Sequence, residues 1–171
     1  MYFLEFLETI KKRRSIRKYK QTVLTKEKIL SILEVARLSP SAMNRQPYAF
    51  IVISEKKIIQ EISSACNQEW AAPIIIAVCV FPEQAWIRDD GEEYWKADAA
   101  IAMNTISLAA CSLGLGTCWI AAFKEEQVKK ILRVDSNARI FALTPLGYPA
   151  EKKGTVTKRK TLAELVHYEK W

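Results

Sequence analysis

The stretch that decides the fold is PIIIAVCV, residues 73–80. After its proline it is apolar throughout and rich in β-branched side chains, which is typical of a strand covered on both faces. We therefore expect a central strand with helices packed against each side of the sheet.

Further strands and helices alternate around this central strand. Strands are predicted at YAFIVI (48–53), TCWIAAF (117–123) and RIFALTPLGYP (139–149), the last of them stopping at Pro145. Helices are predicted over residues 2–13, after Thr25 and after Ser54 as N-caps, and over residues 96–114 and 124–134. The alternation predicts one layered α/β (α+β) domain over residues 1–171.

The predicted helix at residues 96–114, KADAAIAMNTISLAACSLG, is apolar on nearly every side. A surface helix would show a polar face, which this segment lacks. We expect it to be buried in the domain centre or at a subunit interface.

The sequence indicates neither a membrane span nor a secretion signal. Its longest apolar run, residues 74–81, has the length of a strand, whereas a span needs about 18–20 apolar residues. Near the N-terminus the basic residues follow the apolar part, the reverse of the order in a signal peptide. The four cysteines form no C-x-x-C pair, so we expect buried free thiols, no metal site and a cytoplasmic location.

The positive charge is concentrated in KKRRSIRKYK, residues 11–20. This run holds seven of the basic residues and no acid, and the formal net charge of the whole chain is +7. The rest of the chain is therefore formally neutral, which indicates a local anion site more than a general affinity for polyanions. On charge alone, a solvated face is the simpler interpretation, and a nucleic-acid-binding module is a further alternative.

Common catalytic motifs are absent. The chain has no G-x-G-x-x-G, no G-x-x-x-x-G-K-[ST] and no G-x-S-x-G motif, and His167 is its one histidine. His167 lies in a charged tail, where we expect it to be solvated. If the protein is an enzyme, its difficult chemistry would therefore belong to a cofactor.

Three groups of residues are candidates for binding such a cofactor. Arginines and a serine at a helix end, Arg13, Arg14, Ser15 and Arg17, can hold a phosphate, and a second basic set, Lys158, Arg159 and Lys160, could converge on it. The loop SPSAMNRQP (39–47) offers hydroxyl and amide groups that could contact a heterocycle. In PLGYP, Gly147 could take a positive φ or let a flat ligand approach the backbone.

Taken together, six segments resemble the nitroreductase family of FMN-dependent oxidoreductases, in the family's order and over nearly the whole chain. They are RRSIRKY, ILEVARLSPSAMNRQPYAFIVI, APIIIAV, DAAIAMNTISLAACSLGLGTCWIAAF, LGYP and KRKTLAELV. The resemblance implies a central mixed β-sheet flanked by helices, in a homodimer with FMN bound at the subunit interface.

The resemblance also implies roles for single residues. Arg13, Ser15 and Arg17, with Arg14 beside them, would contact the FMN phosphate, ribityl chain and pyrimidine, and Lys158, Arg159 and Lys160 would close on the phosphate. Leu146 and Gly147 would lie beside the flavin ring, and Asn67 would contact its pyrimidine side. The partner subunit would contribute Pro40, Ser41, Ala42 and Asn44.

The implied activity is transfer of a hydride from NAD(P)H through bound FMN to a small planar acceptor, such as a nitroaromatic or a quinone. Only residues 82–95 stand where longer members carry a lid, so the pocket is either open or shaped by Trp86, Tyr94 and Trp95. A flavin-binding protein for storage or sensing, without useful turnover, is the alternative that shares these binding residues. No nucleic-acid or membrane partner is expected.

Overall fold

The computed structural model describes residues 2–171, with side chains from residue 5 onward. The helices are α1 (Tyr2–Lys12), α2 (Lys26–Arg37), α3 (Lys56–Ala65), α4 (Trp95–Ser112) and α5 (Glu125–Leu132). The strands are β1 (Tyr48–Ile53), β2 (Ile74–Val80), β3 (Gly116–Thr117) and β4 (Arg139–Gly147). Short 3₁₀ turns lie at Ala42–Asn44, Pro82–Gln84 and Leu162–Glu164.

The strands form a four-stranded sheet in the order β1-β2-β4-β3 within the described part of the chain. All three ladders between these strands are antiparallel. The parallel component expected of a mixed sheet is an isolated bridge between Ser15 and Thr117 at the β3 edge. The predicted α+β fold is confirmed, with a sheet that is antiparallel in all its ladders.

Strand β2 lies at the centre of two hydrophobic cores, one on each face of the sheet. All seven of its residues are buried. Even-numbered residues such as Ile76 pack with α2 and α4, whereas odd-numbered residues such as Ile75 pack with α3 and α5. The alternation follows from the two-residue period of a strand, and it confirms the prediction of a strand covered on both faces.

Local details depart from the sequence prediction at two strands. Strand β4 continues past Pro145 to Gly147, and β3 pairs only with Leu146 and Gly147. Among the described residues, no strand on the β3 side therefore needs an N–H from residue 145, which makes proline tolerable there. The strand predicted over residues 117–123 is shorter, because after Thr117 only Ile120 pairs with β4, through a bridge to Leu143.

The two predicted helix caps had different outcomes. The Thr25 side chain accepts a hydrogen bond from the Lys28 N–H at 3.4 Å, so this cap is confirmed. Helix α3 instead starts after Glu55 without a side-chain cap, so the prediction for Ser54 was wrong.

The cysteines are free thiols, as predicted. Cys66, Cys79 and Cys118 are buried and Cys111 is half-buried. Burial raises the pKa of Cys66 and Cys79 to about 11, so these thiols are unreactive at neutral pH. Within residues 2–171, no helix combines the length and apolar character needed to cross a membrane.

Candidate functional site

The basic run leaves helix α1 and joins the edge of the sheet. The Arg13 N–H donates to the Thr9 carbonyl at 2.9 Å, which closes the last turn of α1. Ser15 then pairs in parallel with Thr117, and the Ile16 N–H donates to the Thr117 carbonyl at 2.8 Å. The segment therefore extends the sheet beyond β3, and its position is fixed by main-chain hydrogen bonds.

Close packing of Ile16 on Gly116 holds the same segment against β3. Ile16 is buried, and a Cβ added to Gly116 would lie 2.7 Å from the Ile16 Cγ1. Any side chain at position 116 would push the segment away. Glycine at this position is thus required by the approach of the basic run.

Glu151 provides a second attachment, from the chain that follows β4. Its Oε1 accepts hydrogen bonds from the N–H groups of Arg17 at 2.7 Å and Lys18 at 3.3 Å, and its Oε2 pairs with the Lys153 Nζ at 3.0 Å. These hydrogen bonds, first of all that from the Arg17 N–H, hold the pKa of Glu151 below its usual value. The carboxylate therefore orients the backbone from which the exposed Arg17 side chain projects.

A cleft of about 240 Å³ opens between this segment, helix α4 and the start of the loop after β3. Its lining residues are Arg13, Ser15, Asn104, Ser107, Thr117 and Trp119. An adjoining cavity of about 260 Å³ shares Arg13, Ser107 and Thr117 with it and adds Lys12, Arg14, Glu151 and Lys153. Each volume is below the roughly 300–1,000 Å³ of small-molecule sites, whereas the two together fall within that range.

The cleft combines positive charge with an aromatic surface. Arg13 is half-buried, and Trp119, 41% exposed, stands beside it in the lining. The Trp119 ring packs edge-on against Phe141 at 5.6 Å between centroids, and Phe141 packs against the buried Trp95 at 6.4 Å. This support from behind holds the indole in place. A guanidinium, a hydroxyl and an indole suit a ligand that carries both a phosphate and a planar ring.

Ser15 and Arg17 also lie close to the buried Cys118. Burial raises the pKa of this thiol, and the Arg17 charge and the Ser15 hydroxyl partly oppose that effect.

Three of the predicted phosphate-binding residues, Arg13, Arg14 and Ser15, line the two adjoining cavities, with Arg17 beside them.

The loop of residues 39–47 lies elsewhere in this chain. Pro40 and Asn44 are exposed, and Ser41 and Ala42 are half-buried. The Ala42 N–H donates to Asp98 Oδ1 at 2.8 Å, near the start of α4. None of the residues 39–47 lines the cleft or the cavity that adjoins it. One chain therefore does not bring this loop together with Arg13 and Ser15.

Leu146 and Gly147 adjoin the cleft through the sheet. Leu146 pairs with Thr117 in the β3–β4 ladder, on the side of Thr117 opposite to Ser15. Both residues are buried, and a Cβ on Gly147 would lie 2.8 Å from the Pro73 Cδ. Pro73 fills the space on the side where a Cβ would lie, so this glycine allows close packing there, and its φ is not positive.

The remaining predicted residues are not assembled with these in one chain. Asn67, with a φ of 51°, is exposed just after α3. Lys158, Arg159 and Lys160 are exposed in the C-terminal segment and line neither cavity beside Arg13.

Sequence reasoning did not identify several residues in or near this site, namely Asn104, Ser107, Thr117, Trp119, Glu151 and Asp98. Thr117 and Trp119 fell inside a predicted strand, and Glu151 lay in a basic tail. Asp98 did carry a signal, because it is the one charged residue between positions 97 and 113. Of the aromatic residues considered for the acceptor pocket, Trp95 is buried and packs on Phe141, and the Trp86 ring packs on Tyr94 at 4.8 Å between centroids.

Comparison with known proteins agrees with this fold. The family model described as "Nitroreductase family" matches residues 10–77 and 70–148. A nitroreductase family protein from Clostridium difficile 630 superposes with a TM-score of 0.89 at 32% identity, covering 96% of this chain and 98% of its own. An FMN-dependent nitroreductase from Clostridium difficile R20291 gives a TM-score of 0.83 at 30% identity, with coverages of 96% and 99%. The FMN reductase (NAD(P)H) of Bacillus subtilis is 29% identical, with coverages of 86% and 67%.

The fold and these comparisons thus define an α+β oxidoreductase. The chain belongs to the nitroreductase family, as the sequence predicted.

Proposed function

We propose that this protein is an NAD(P)H-dependent flavin oxidoreductase that uses FMN to reduce a nitroaromatic, a quinone or a related conjugated acceptor. The observation that carries the proposal is the placement of Arg13 and Ser15 with Trp119 in one cleft at the sheet edge. Membership of the nitroreductase family, with an FMN-dependent nitroreductase among the similar structures, supports FMN as the cofactor.

The residues of the cleft fit FMN. Arg13 and Arg14 provide cationic donors for a phosphate, and Ser15 adds a compact hydroxyl. The Trp119 indole offers an apolar surface to a planar group. Arg17, held by its backbone contact with Glu151, places positive charge nearby.

When bound, FMN would supply the redox chemistry, taking a hydride from NAD(P)H and passing reducing equivalents to the acceptor. This chain's part is to bind, to orient and to stabilise negative charge. The residues lining the cleft include no histidine, and His167 is exposed and packs on Trp171 at 4.4 Å between rings. The cationic groups Arg13, Arg14 and Arg17 favour an anionic ligand electrostatically.

We further propose that the enzyme is a homodimer. Asp98 is the one charged residue between positions 97 and 113, and it is buried, so the exposed surface of α4 beyond Lys96 carries no charge. That surface includes Ile101, which is 39% exposed, and the half-buried Leu108. Uncharged apolar surface of this kind is typical of an interface with a second copy.

The C-terminal segment supports the same assembly. Residues 152–171 are exposed throughout, although they include Leu162, Leu165, Tyr168 and Trp171. A second copy would cover such side chains. It would also bring another loop 39–47 to the cleft, which accounts for the separation of Pro40, Ser41, Ala42 and Asn44 from Arg13 within one chain. Lys158, Arg159, Lys160 and Asn67 remain candidates for contacts in that assembly. A cytoplasmic location is also proposed, consistent with the free cysteines.

The direct test is spectroscopic. Purified protein should show flavin absorbance or gain it on addition of FMN, and anaerobic NADH or NADPH should bleach it at a rate that supports turnover with a nitroaromatic or quinone panel. Absence of both bound flavin and FMN uptake would refute the proposal. Binding without bleaching would indicate the storage or sensing alternative, and tight, steeply salt-dependent affinity for nucleic acid without flavin would indicate a nucleic-acid-binding module.

A further inference from the structure

Asp98 is a buried carboxylate and the one charged residue between positions 97 and 113. It is 1% exposed. Its Oδ1 accepts a hydrogen bond from the Ala42 N–H at 2.8 Å, whereas its buried Oδ2 has no partner among the described residues. An unpaired buried carboxylate oxygen is unfavourable for stability. The presence of Asp98 therefore calls for a role other than stabilising the core.

The backbone that Asp98 contacts has an unusual conformation. Ala42 begins a short 3₁₀ turn, and three residues after it have positive φ: 52° at Met43, 54° at Asn44 and 49° at Gln46. Residues other than glycine rarely adopt such angles, and they keep them only where the surroundings hold the backbone. Ser41 provides a tie inside the loop, since its Oγ accepts a hydrogen bond from the Gln46 N–H at 2.9 Å.

Helix α4 holds this loop at two points, through Thr105 and through Asp98. The Ser39 hydroxyl donates a hydrogen bond to Thr105 Oγ1 at 2.9 Å. The Tyr48 hydroxyl, from strand β1, donates to the Ser39 carbonyl at 3.0 Å and so also holds Ser39. Thr105 follows Asp98 by seven residues, which places the two on the same face of α4, two turns apart. Ser39 and Thr105 thus fix the beginning of the loop, and Asp98 fixes Ala42, where the positive-φ turn starts.

We propose that Asp98 is a positioning residue, whose carboxylate fixes the main chain of residues 41–46 in the conformation that contacts the flavin of the second subunit. The contact with flavin rests on the proposed function, whereas the hydrogen bond to Ala42 does not. What the loop requires from position 98 is an acceptor oxygen at Oδ1. Asparagine can supply that oxygen and alanine cannot.

The experiment compares Asp98→Ala, Asp98→Asn and, as a control, Asp135→Ala at an exposed aspartate. Hydrogen exchange of the 40–46 peptide, FMN Kd and steady-state kcat and KM are measured on the purified full-length chain. In Asp98→Ala we expect faster exchange of this peptide and an FMN Kd raised about fivefold, the size of effect expected for one ordinary hydrogen bond. Asp98→Asn should restore both to near the wild-type values, and Asp135→Ala should change neither.

Two outcomes would overturn the proposal: wild-type exchange and FMN affinity in Asp98→Ala, or an Asp98→Asn protein as defective as Asp98→Ala. A general loss of structure would instead speed exchange in β2 as well, and this too counts against a positioning role. If the wild-type protein itself binds no FMN, the proposed function fails, and the exchange data alone decide whether Asp98 holds the loop.

Discussion

Ser15 and Thr117 pair in parallel at the edge of the sheet, although they are 102 positions apart in the sequence. On its other side Thr117 pairs with Leu146 of β4. Thr117 alone thus separates Ser15, in the basic run 11–20, from Leu146 near the end of β4. Because β3 is only two residues long, the position of Ser15 depends on this contact and on the packing beneath it.

The packing beneath Ser15 is tested by Gly116→Ala. The new Cβ would lie 2.7 Å from the Ile16 Cγ1, so the basic segment must move. We expect a loss of about 1–3 kcal/mol in the free energy of unfolding, as for other overpacked sites, together with weaker FMN binding. Urea unfolding and FMN titration measure these. Gly154→Ala is the control, because nothing lies within 4 Å of its Cβ position; equal behaviour of the two variants would contradict the prediction.

Arg13→Ala and Lys11→Ala test whether single residues of the basic run 11–20 bind FMN or whether the whole run acts through its charge. Arg13 lines both cavities, whereas Lys11 is exposed and pairs with Glu8 at 3.4 Å. Loss of a charge-assisted hydrogen bond to a phosphate costs about 1.5–3 kcal/mol, so we expect Arg13→Ala to raise the FMN Kd roughly tenfold or more. Lys11→Ala should leave it almost unchanged. Equal losses would mean that the run acts as diffuse charge.

Much of the fold could be predicted because it depends on local pattern. The continuous apolar run of β2 indicated a strand buried on both faces, and Thr25 indicated a helix start. The uniform apolar character of residues 96–114 indicated a buried helix, although its cleft-lining residues, Asn104 and Ser107, were not distinguished from the rest. The charge count drew attention to residues 11–20.

Other parts of the site could not be predicted, because they depend on tertiary contacts. Nothing near Glu151 in the sequence indicates that its carboxylate binds the backbone at Arg17. The continuation of β4 through Pro145 depends on which positions its short neighbour β3 reaches. Trp119 belongs to the cleft because the chain leaves the sheet after Thr117, where the pattern indicated a longer strand.

The contact between Glu151 and Arg17 predicts a pH dependence. The folded-state pKa of Glu151 is lowered, so its contribution to stability is present above its unfolded pKa, about 4.3, and is lost as pH falls through the lower folded value. Glu151→Gln keeps an acceptor oxygen and removes the charge. We expect wild type to have the higher Tm at neutral pH, and the difference to shrink as pH falls below about 4.3 toward the lower folded pKa. A Tm difference that is constant with pH would contradict an electrostatic role.

The proposed subunit interface is tested by Ile101→Lys on the outer face of α4. A lysine there would have to be desolvated against a second copy, which is unfavourable without a partner. We expect dimers to dissociate in sedimentation velocity experiments. Flavin occupancy should fall in parallel, because each cleft would lose the loop 39–47 of the other subunit.

Val23→Lys provides the matched control, because Val23 is 83% exposed, lies on a different surface and accepts a charge without burial. This variant should remain dimeric and retain FMN. A wild-type protein that sediments as a monomer with full flavin occupancy would contradict the interface altogether. An Ile101→Lys monomer that keeps its FMN would show instead that Arg13, Ser15 and Trp119 suffice for the cofactor, and that the loop 39–47 serves some other purpose.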